Sequence, residues 1–406
     1  MSAAQQRAAA AARLRVAMVA GEHSGDQLGA ALIAALRERV PGVECFGVAG
    51  PKMIAGGCEA WAAAEELSVM GLAEVLRHLP RLLRLRARLL RRLHAARPDV
   101  FVGIDAPEFN QGLARRLKSA GIRTVQYVSP QVWAWRQGRV RTIGAACDLV
   151  LCLLPFETEF YARYRVPAAY VGHPLADQIP LDVDRAAARA ALGLAGEAPL
   201  VALLPGSRLT EVARLAPPFV AAAGEIATRH PGSRFIAPMA SAGARAAFER
   251  AMTRAPAGAA IQLLDGQTQR ALAAADGAIV ASGTATLETL LTGRPMVVAY
   301  RVSALTAFIV RTLRLVKVRY FSQPNLLTGR ALVPEFFQEQ VTGATLAQAL
   351  LREMADPAHV AELLEQFKAV HRALRRDGAG LAADAIIALA LQPGALAGVR
   401  AGTARG

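Results

Sequence analysis

The chain has 406 residues, more than one hydrophobic core usually serves, so two α/β domains of ordinary size account for its length. No apolar run is long enough to span a bilayer, and the alanine-rich start lacks the leucine-rich core of a secretion signal, which predicts a disordered tail over residues 1–13 of a cytoplasmic protein. A formal net charge of +15 fits an anionic partner, solubility or an arginine-rich proteome, and the four cysteines, Cys45, Cys58, Cys147 and Cys152, lack C-x-x-C spacing, so neither a zinc site nor a disulfide framework is indicated.

In chain order, short Val/Ile/Leu-rich runs at 15–20, 45–49, 100–104, 124–128 and 149–153 alternate with helical patterns at 26–39, within 76–97 and near 112–120. That alternation predicts a parallel sheet covered on both faces. Residues 174–199 break into Pro, Asp and Ala-rich sequence and read as a linker. A second α/β series follows at 200–204, 234–237, 261–264, 277–280 and 296–300, closed by helices over about 346–376. The tail after Gln392 reads as unstructured.

Ligands of open α/β sheets sit beyond the carboxyl ends of strands, so the residues there carry the chemistry. After the first strand comes Gly21-Glu22-His23-Ser24-Gly25-Asp26, with Ser24 or Asp26 able to cap the next helix. It lacks the G-x-G-x-x-G spacing of a dinucleotide site, which argues against a nicotinamide cofactor. After the 100–104 strand comes Asp105-Ala106-Pro107-Glu108-Phe109-Asn110, whose Asp105 is placed to take a proton from a hydroxyl, or simply to cap a turn; His23 is the competing base. The next strand leads into Ser129-Pro130-Gln131-Val132-Trp133-Ala134-Trp135, an aromatic loop beside arginines that stacks on a sugar or packs against protein.

The second series opens with Leu203-Leu204-Pro205-Gly206-Ser207-Arg208, a turn that exposes backbone N–H groups beside a permanent cation. Its fourth strand leads through Ser282-Gly283-Thr284 into a helix, presenting free N–H groups and a positive dipole end to an anion, with Glu288 one turn in. Two phosphate-type loops on one sheet are far less probable by chance than either alone. Asp182-Val183-Asp184 resembles a metal-holding D-x-D but lies in the linker, so it is read as turn chemistry and no metal is expected. Between 79 and 93 leucines fall on one helical face and Arg81, Arg84, Arg88, Arg91 and Arg92 opposite, preceded by Val69, Leu72, Val75 and Leu76. This is a sheet-covering helix or a contact for an anionic membrane.

These segments, with Val171-Gly172-His173-Pro174-Leu175 and Pro324-Asn325-Leu326-Leu327, resemble the lipid-A-disaccharide synthase family of inverting glycosyltransferases over about residues 15–391. The resemblance implies a GT-B architecture: two Rossmann-like domains with parallel sheets facing across a cleft. The boundaries expected are 14–175 for the acceptor domain, 176–199 for the linker and 200–367 for the donor domain, with helices 368–391 packing back on the first and a tail at 392–406. It further implies transfer of 2,3-diacylglucosamine from its UDP donor to 2,3-diacylglucosamine 1-phosphate, without metal or redox cofactor, at the inner face of the cytoplasmic membrane. Asp105 would be the base. Gly206, Ser207, Arg208, Ser282, Gly283, Thr284, Glu288, Asn325 and Gln338 would serve the donor. Glu22, His23, Ser24, Asp26, Asn110, Gln131, Trp133 and Trp135 would lie on the acceptor side. The readings left open are another GT-B enzyme, such as a peptidoglycan-type N-acetylglucosaminyl transferase or a UDP-sugar epimerase, or a non-catalytic nucleotide-sugar binder. A homodimer is also left open, and a nucleic-acid partner is not expected because the arginines are not interleaved with exposed aromatics.

Overall fold

The structure, a computed structural model, describes residues 13–21, 23–67, 72–134, 137–194, 196–254, 259–303 and 319–391; for His23 and residues 72–78 it describes the backbone alone. Both expected tails therefore lie outside the described residues, apart from Arg13. The chain divides into two compact units, one running to Asp177 and resuming at Leu374, the other Gln178–Ala373.

The first unit contains β1 (Arg15–Ala20), α1 (His23–Arg39), β2 (Glu44–Ala49), α2 (Pro51–Ala55), β3 (Glu59–Ala63), α3 (Leu72–Ala96), β4 (Val100–Ile104), α4 (Pro107–Ser119), β5 (Arg123–Tyr127), α5 (Val140–Ala146), β6 (Leu149–Cys152), α6 (Pro155–Arg163), β7 (Ala168–Tyr170) and α7 (Pro174–Gln178). Its sheet runs β3-β2-β1-β4-β5-β6-β7, every pairing parallel. The strand order reverses between β1 and β4, where Ala20 pairs with Ile104. Buried on both faces, the central strands are continuous apolar runs, which is why they were legible in the sequence.

The second unit contains α8 (Arg185–Ala191), β8 (Leu200–Leu204), α9 (Leu209–Arg229), β9 (Arg234–Met239), α10 (Ala242–Arg254), β10 (Ile261–Asp265), α11 (Thr268–Ala274), β11 (Gly277–Ala281), α12 (Thr284–Leu291), β12 (Met296–Tyr300), α13 (Gln323–Thr328), β13 (Glu335–Phe337), α14 (Gly343–Ala355) and α15 (Pro357–Leu374). Its sheet order, β10-β9-β8-β11-β12-β13, reverses between β8 and β11.

Three strands, β3, β7 and β13, escaped the sequence reading because they are short edges with mixed exposure and no apolar run. The expected linker is folded instead. Its Arg189 is buried, donating to Asp276 at 2.6 Å and to the carbonyls of Ala274, Gly196 and Ala198, so α8 is part of the second unit. The D-x-D residues are spent locally: Asp184 accepts from the Ala187 N–H and caps α8, and Asp182 pairs with Lys368.

The return to the first unit begins at Leu374 rather than 368. Asp177 accepts the N–H groups of Arg376, Asp377 and Gly378 at 2.8–3.1 Å and so starts a last helix, α16 (Gly378–Leu391). Ile386 and Leu389 of α16 join the core under β1 and β4. Each contributes about 1.5–3 kcal/mol on burial, against about 1 kcal/mol for the cap. The core thus holds the helix and Asp177 sets where it begins. All four cysteines are buried free thiols.

Candidate active site

Both order reversals are the places where an open α/β sheet leaves room for ligand beyond its strand ends. In the first unit that place is formed by the loops after β1 and β4. They approach so closely that a Cβ on Gly21 would stand 2.9 Å from the Cβ of Ala106. Gly25 and Asp26 follow on α1, but Asp26 is buried and its carboxylate accepts the N–H groups of Lys52 and Met53, both at 2.9 Å. Asp26, expected on the acceptor side, therefore caps α2. Ser24 is exposed on the first turn of α1. Glu22 lies outside the described residues, as does the side chain of His23.

Asp105 follows β4 with φ 50°, and Ala106 with φ 40°, two successive left-handed residues without glycine. Burial pushes the Asp105 carboxyl above its ordinary 3.8, opposed by a hydrogen bond from the Ala106 N–H. A carboxylate whose pKa is drawn toward neutrality is a better proton acceptor than a solvated one. Asn110, expected on the acceptor side, is fully buried. Its amide nitrogen lies 2.8 Å from the Asp105 carbonyl and 3.3 Å from that of Val19. It supports the Asp105 turn from inside.

The loop after β5 is likewise built inward. Trp133 is buried, edge-on to Phe156, and donates its indole N–H to Glu157 at 3.1 Å. It cannot stack on a sugar from there; it packs within its own unit. Gln131 is exposed and Trp135 lies outside the described residues. Arg139 grips Glu108 with two hydrogen bonds, 2.5 and 2.8 Å, tying this loop to the start of α4 beside Asp105.

In the second unit the loops after β8 and β11 meet the other reversal. Gly206 has φ 106°, a conformation that strains any residue with a Cβ, so glycine suits this turn. Arg208 precedes α9, 69% exposed, and pairs with Glu211 at 3.0 Å. Gly283 precedes α12 with φ 144° and ψ −159°, a conformation essentially reserved for glycine. Gly283 and Thr284 are exposed at the amino end of α12. Ser282 instead gives its hydroxyl to the Phe321 carbonyl at 2.9 Å. Burial pushes the Glu288 carboxyl up.

Asn325 and Gln338 hydrogen-bond to the protein's own groups. Asn325 is buried, accepts from Leu332 and Val333 N–H, and donates to the Val333 carbonyl and Glu335, which exhausts its amide. Gln338 accepts from the Val302 N–H at 2.8 Å and donates back to the Val302 carbonyl. Both brace the loops around them. Glu335, missed in the sequence, collects the Phe321 and Ser322 N–H groups, the Ser322 hydroxyl at 2.6 Å and Asn325. A carboxylate directly after Val333-Pro334 was the available signal.

A family model described as lipid-A-disaccharide synthetase matches residues 16–386. The lipid-A-disaccharide synthase of Alkalilimnicola ehrlichii is 54% identical over 379 residues, 93% of this chain and 99% of that one. That of Azotobacter vinelandii is 53% identical over 378 residues, 93% and 98%. Among solved structures, a calicheamicin glycosyltransferase superposes with a TM-score of 0.56 at 16% identity, covering 93% of this chain and 98% of that one. The UDP-GlcNAc 2-epimerase of Neisseria meningitidis gives 0.62 at 11%, covering 93% and 100%. These two likenesses bear on the fold alone.

Proposed function

The chain belongs to the lipid-A-disaccharide synthetase family, and from that premise we propose that it transfers 2,3-diacylglucosamine from UDP-2,3-diacylglucosamine to 2,3-diacylglucosamine 1-phosphate. The product is a β-1,6-linked disaccharide 1-phosphate and the leaving group is UDP. The enzyme is a hexosyltransferase with GT-B architecture.

Asp105 takes the proton of the acceptor 6-hydroxyl as that oxygen forms its bond to the sugar C1. The bond from C1 to the diphosphate oxygen breaks on the opposite face, which inverts the anomeric centre. The charge that appears on UDP is met by the Arg208 guanidinium and by the free N–H groups at the Thr284 end of α12. Glu288 receives ribose hydroxyls. Those cationic groups supply the charge balance in this reading, so neither metal nor redox cofactor takes part.

The observation that carries the proposal is that each sheet reverses its order beside the residues named: Asp105 after β4 in one, Gly206–Arg208 and Ser282–Thr284 after β8 and β11 in the other. Attachment to an anionic membrane surface at the inner face of the cytoplasmic membrane is part of the same proposal. Helix α3 exposes Leu79 and Leu83 beside Arg81 and Arg84, and no helix among the described residues is long and apolar enough to cross a membrane. Val69 lies outside the described residues, as do the side chains of Leu72, Val75 and Leu76. Incubation with both lipid substrates and mass analysis of the product tests the assignment; UDP release without a disaccharide would overturn it.

A further inference from the structure

Gln126 is a polar residue one place before the end of β5, 1% exposed, between Val125 and Tyr127. A strand buried on both faces ordinarily carries Val, Ile or Leu there, and a buried amide is tolerated only when its hydrogen bonds are made. Its Nε2 lies 3.1 Å from the Asp105 carbonyl, 3.3 Å from that of Tyr127 and 3.3 Å from that of Val128. Two hydrogens are thus shared among three carbonyls belonging to two neighbouring strand ends.

Those strand ends are where the backbone is least at ease. Asp105 and Ala106 have φ of 50° and 40°, and Val128, a β-branched residue, has φ 75°. Left-handed valine is a true outlier, and such conformations persist only where the surroundings over-determine them. Here the determination is visible: the Asp105 N–H donates to the Tyr127 carbonyl at 2.9 Å, Asn110 donates to the Asp105 carbonyl at 2.8 Å, and Gln126 donates to that carbonyl as well as to Val128.

We propose that Gln126 is a positioning residue for the transfer reaction: its amide clasps the left-handed turns after β4 and β5 and so fixes where the Asp105 carboxylate stands. The inference rests on the reading of Asp105 as the base. Gln126 touches no substrate, being sealed inside the sheet. It acts through the peptide it holds, and misplacing a reacting group by about 1 Å costs on the order of 100-fold in rate. The loops that hold UDP belong to the other sheet and do not depend on this clasp.

The test replaces Gln126 by methionine, which keeps the length and removes both donors, in the full-length enzyme assayed with both lipid substrates. Expected is a fall in kcat of about 10- to 100-fold, with KM for the UDP-sugar within about twofold of wild type. The acid limb of the kcat/KM profile should move to lower pH, because a loosened Asp105 gains water. A residue needed only for folding would lower the yield of soluble enzyme and leave kcat and that limb where they are, which would overturn the proposal. If Gln126→Met does not fold, Gln126→Glu exchanges only the donating group, and an unchanged kcat there counts against the clasp equally. Asp105→Asn is run alongside: its full activity would remove the base reading, whereas an inactive Asp105→Asn beside a fully active Gln126→Met would remove the clasp alone.

Discussion

Trp133 donates its indole N–H to Glu157 across 3.1 Å, and both side chains are buried in the first unit. Burial pushes the Glu157 carboxyl from 4.5 up to about 7, with the Leu154 N–H and Trp133 among the groups that oppose the rise. A carboxyl whose folded pKa lies above its unfolded value stabilises the fold most below about 4.5, and that contribution is lost as pH rises through about 7. Emission from Trp133, isolated by Trp61→Phe and Trp135→Phe, is expected to titrate with a midpoint near 7. Glu157→Gln should abolish the transition. A flat profile in the parent would contradict the assigned environment.

Asp105, proposed as the base, would set function against stability. Its pKa is raised by burial, so the ionised form present at neutral pH is the form the fold disfavours. The stabilisation given by its protonated form is complete below the unfolded pKa and is lost as pH rises through the folded one. Asp105→Asn is therefore expected to unfold at higher urea concentration than wild type at neutral pH, with the gap closing in acid. Equal midpoints at neutral pH would argue that the carboxylate is solvated.

Arg208 behaves in the opposite sense. At 69% exposure its pair with Glu211 contributes about 0–1 kcal/mol, so Arg208→Met should leave thermal stability nearly unchanged. Loss of a cation aimed at developing charge should cost about 100- to 1,000-fold in kcat/KM. Since the same group and the α12 amides carry the charge in this account, EDTA treatment should leave the rate unaltered. A rate lost to the chelator and restored by a divalent ion would put a metal in the step.

Leu79 and Leu83 are 41% and 45% exposed on α3, flanked by exposed Arg81 and Arg84. Replacing both leucines by serine should lower partitioning onto phosphatidylglycerol vesicles several-fold while leaving the melting temperature in place, because neither side chain belongs to the core. Raising salt should weaken wild-type binding. Unchanged partitioning in the double variant would assign the membrane contact elsewhere.

The central strands and the strand-end loops were legible because a buried parallel strand writes itself as an apolar run and the residue after it has few reasons to be polar. Gly21, Asp105, Gly206 and Gly283 all stand where that logic put them. Asp26, Asn110, Trp133, Asn325 and Gln338 show its limit. Each has chemistry suited to a ligand, and in each the structure turns hydrogen bonds of that side chain to the protein's own groups. Composition tells what a side chain can bond, not which way it turns. Gln126, Glu157 and Glu335 went unread for the converse reason: a polar residue outside any motif carries no pattern, though its hydrogen bonds make it decisive for the backbone around it.

The most direct measurement is the product formed from UDP-2,3-diacylglucosamine and 2,3-diacylglucosamine 1-phosphate by wild type and by Asp105→Asn, read by mass analysis alongside calorimetric UDP binding. The account predicts the disaccharide 1-phosphate from wild type, none above background from Asp105→Asn, and equal UDP affinity for both. Undiminished disaccharide from Asp105→Asn would contradict it.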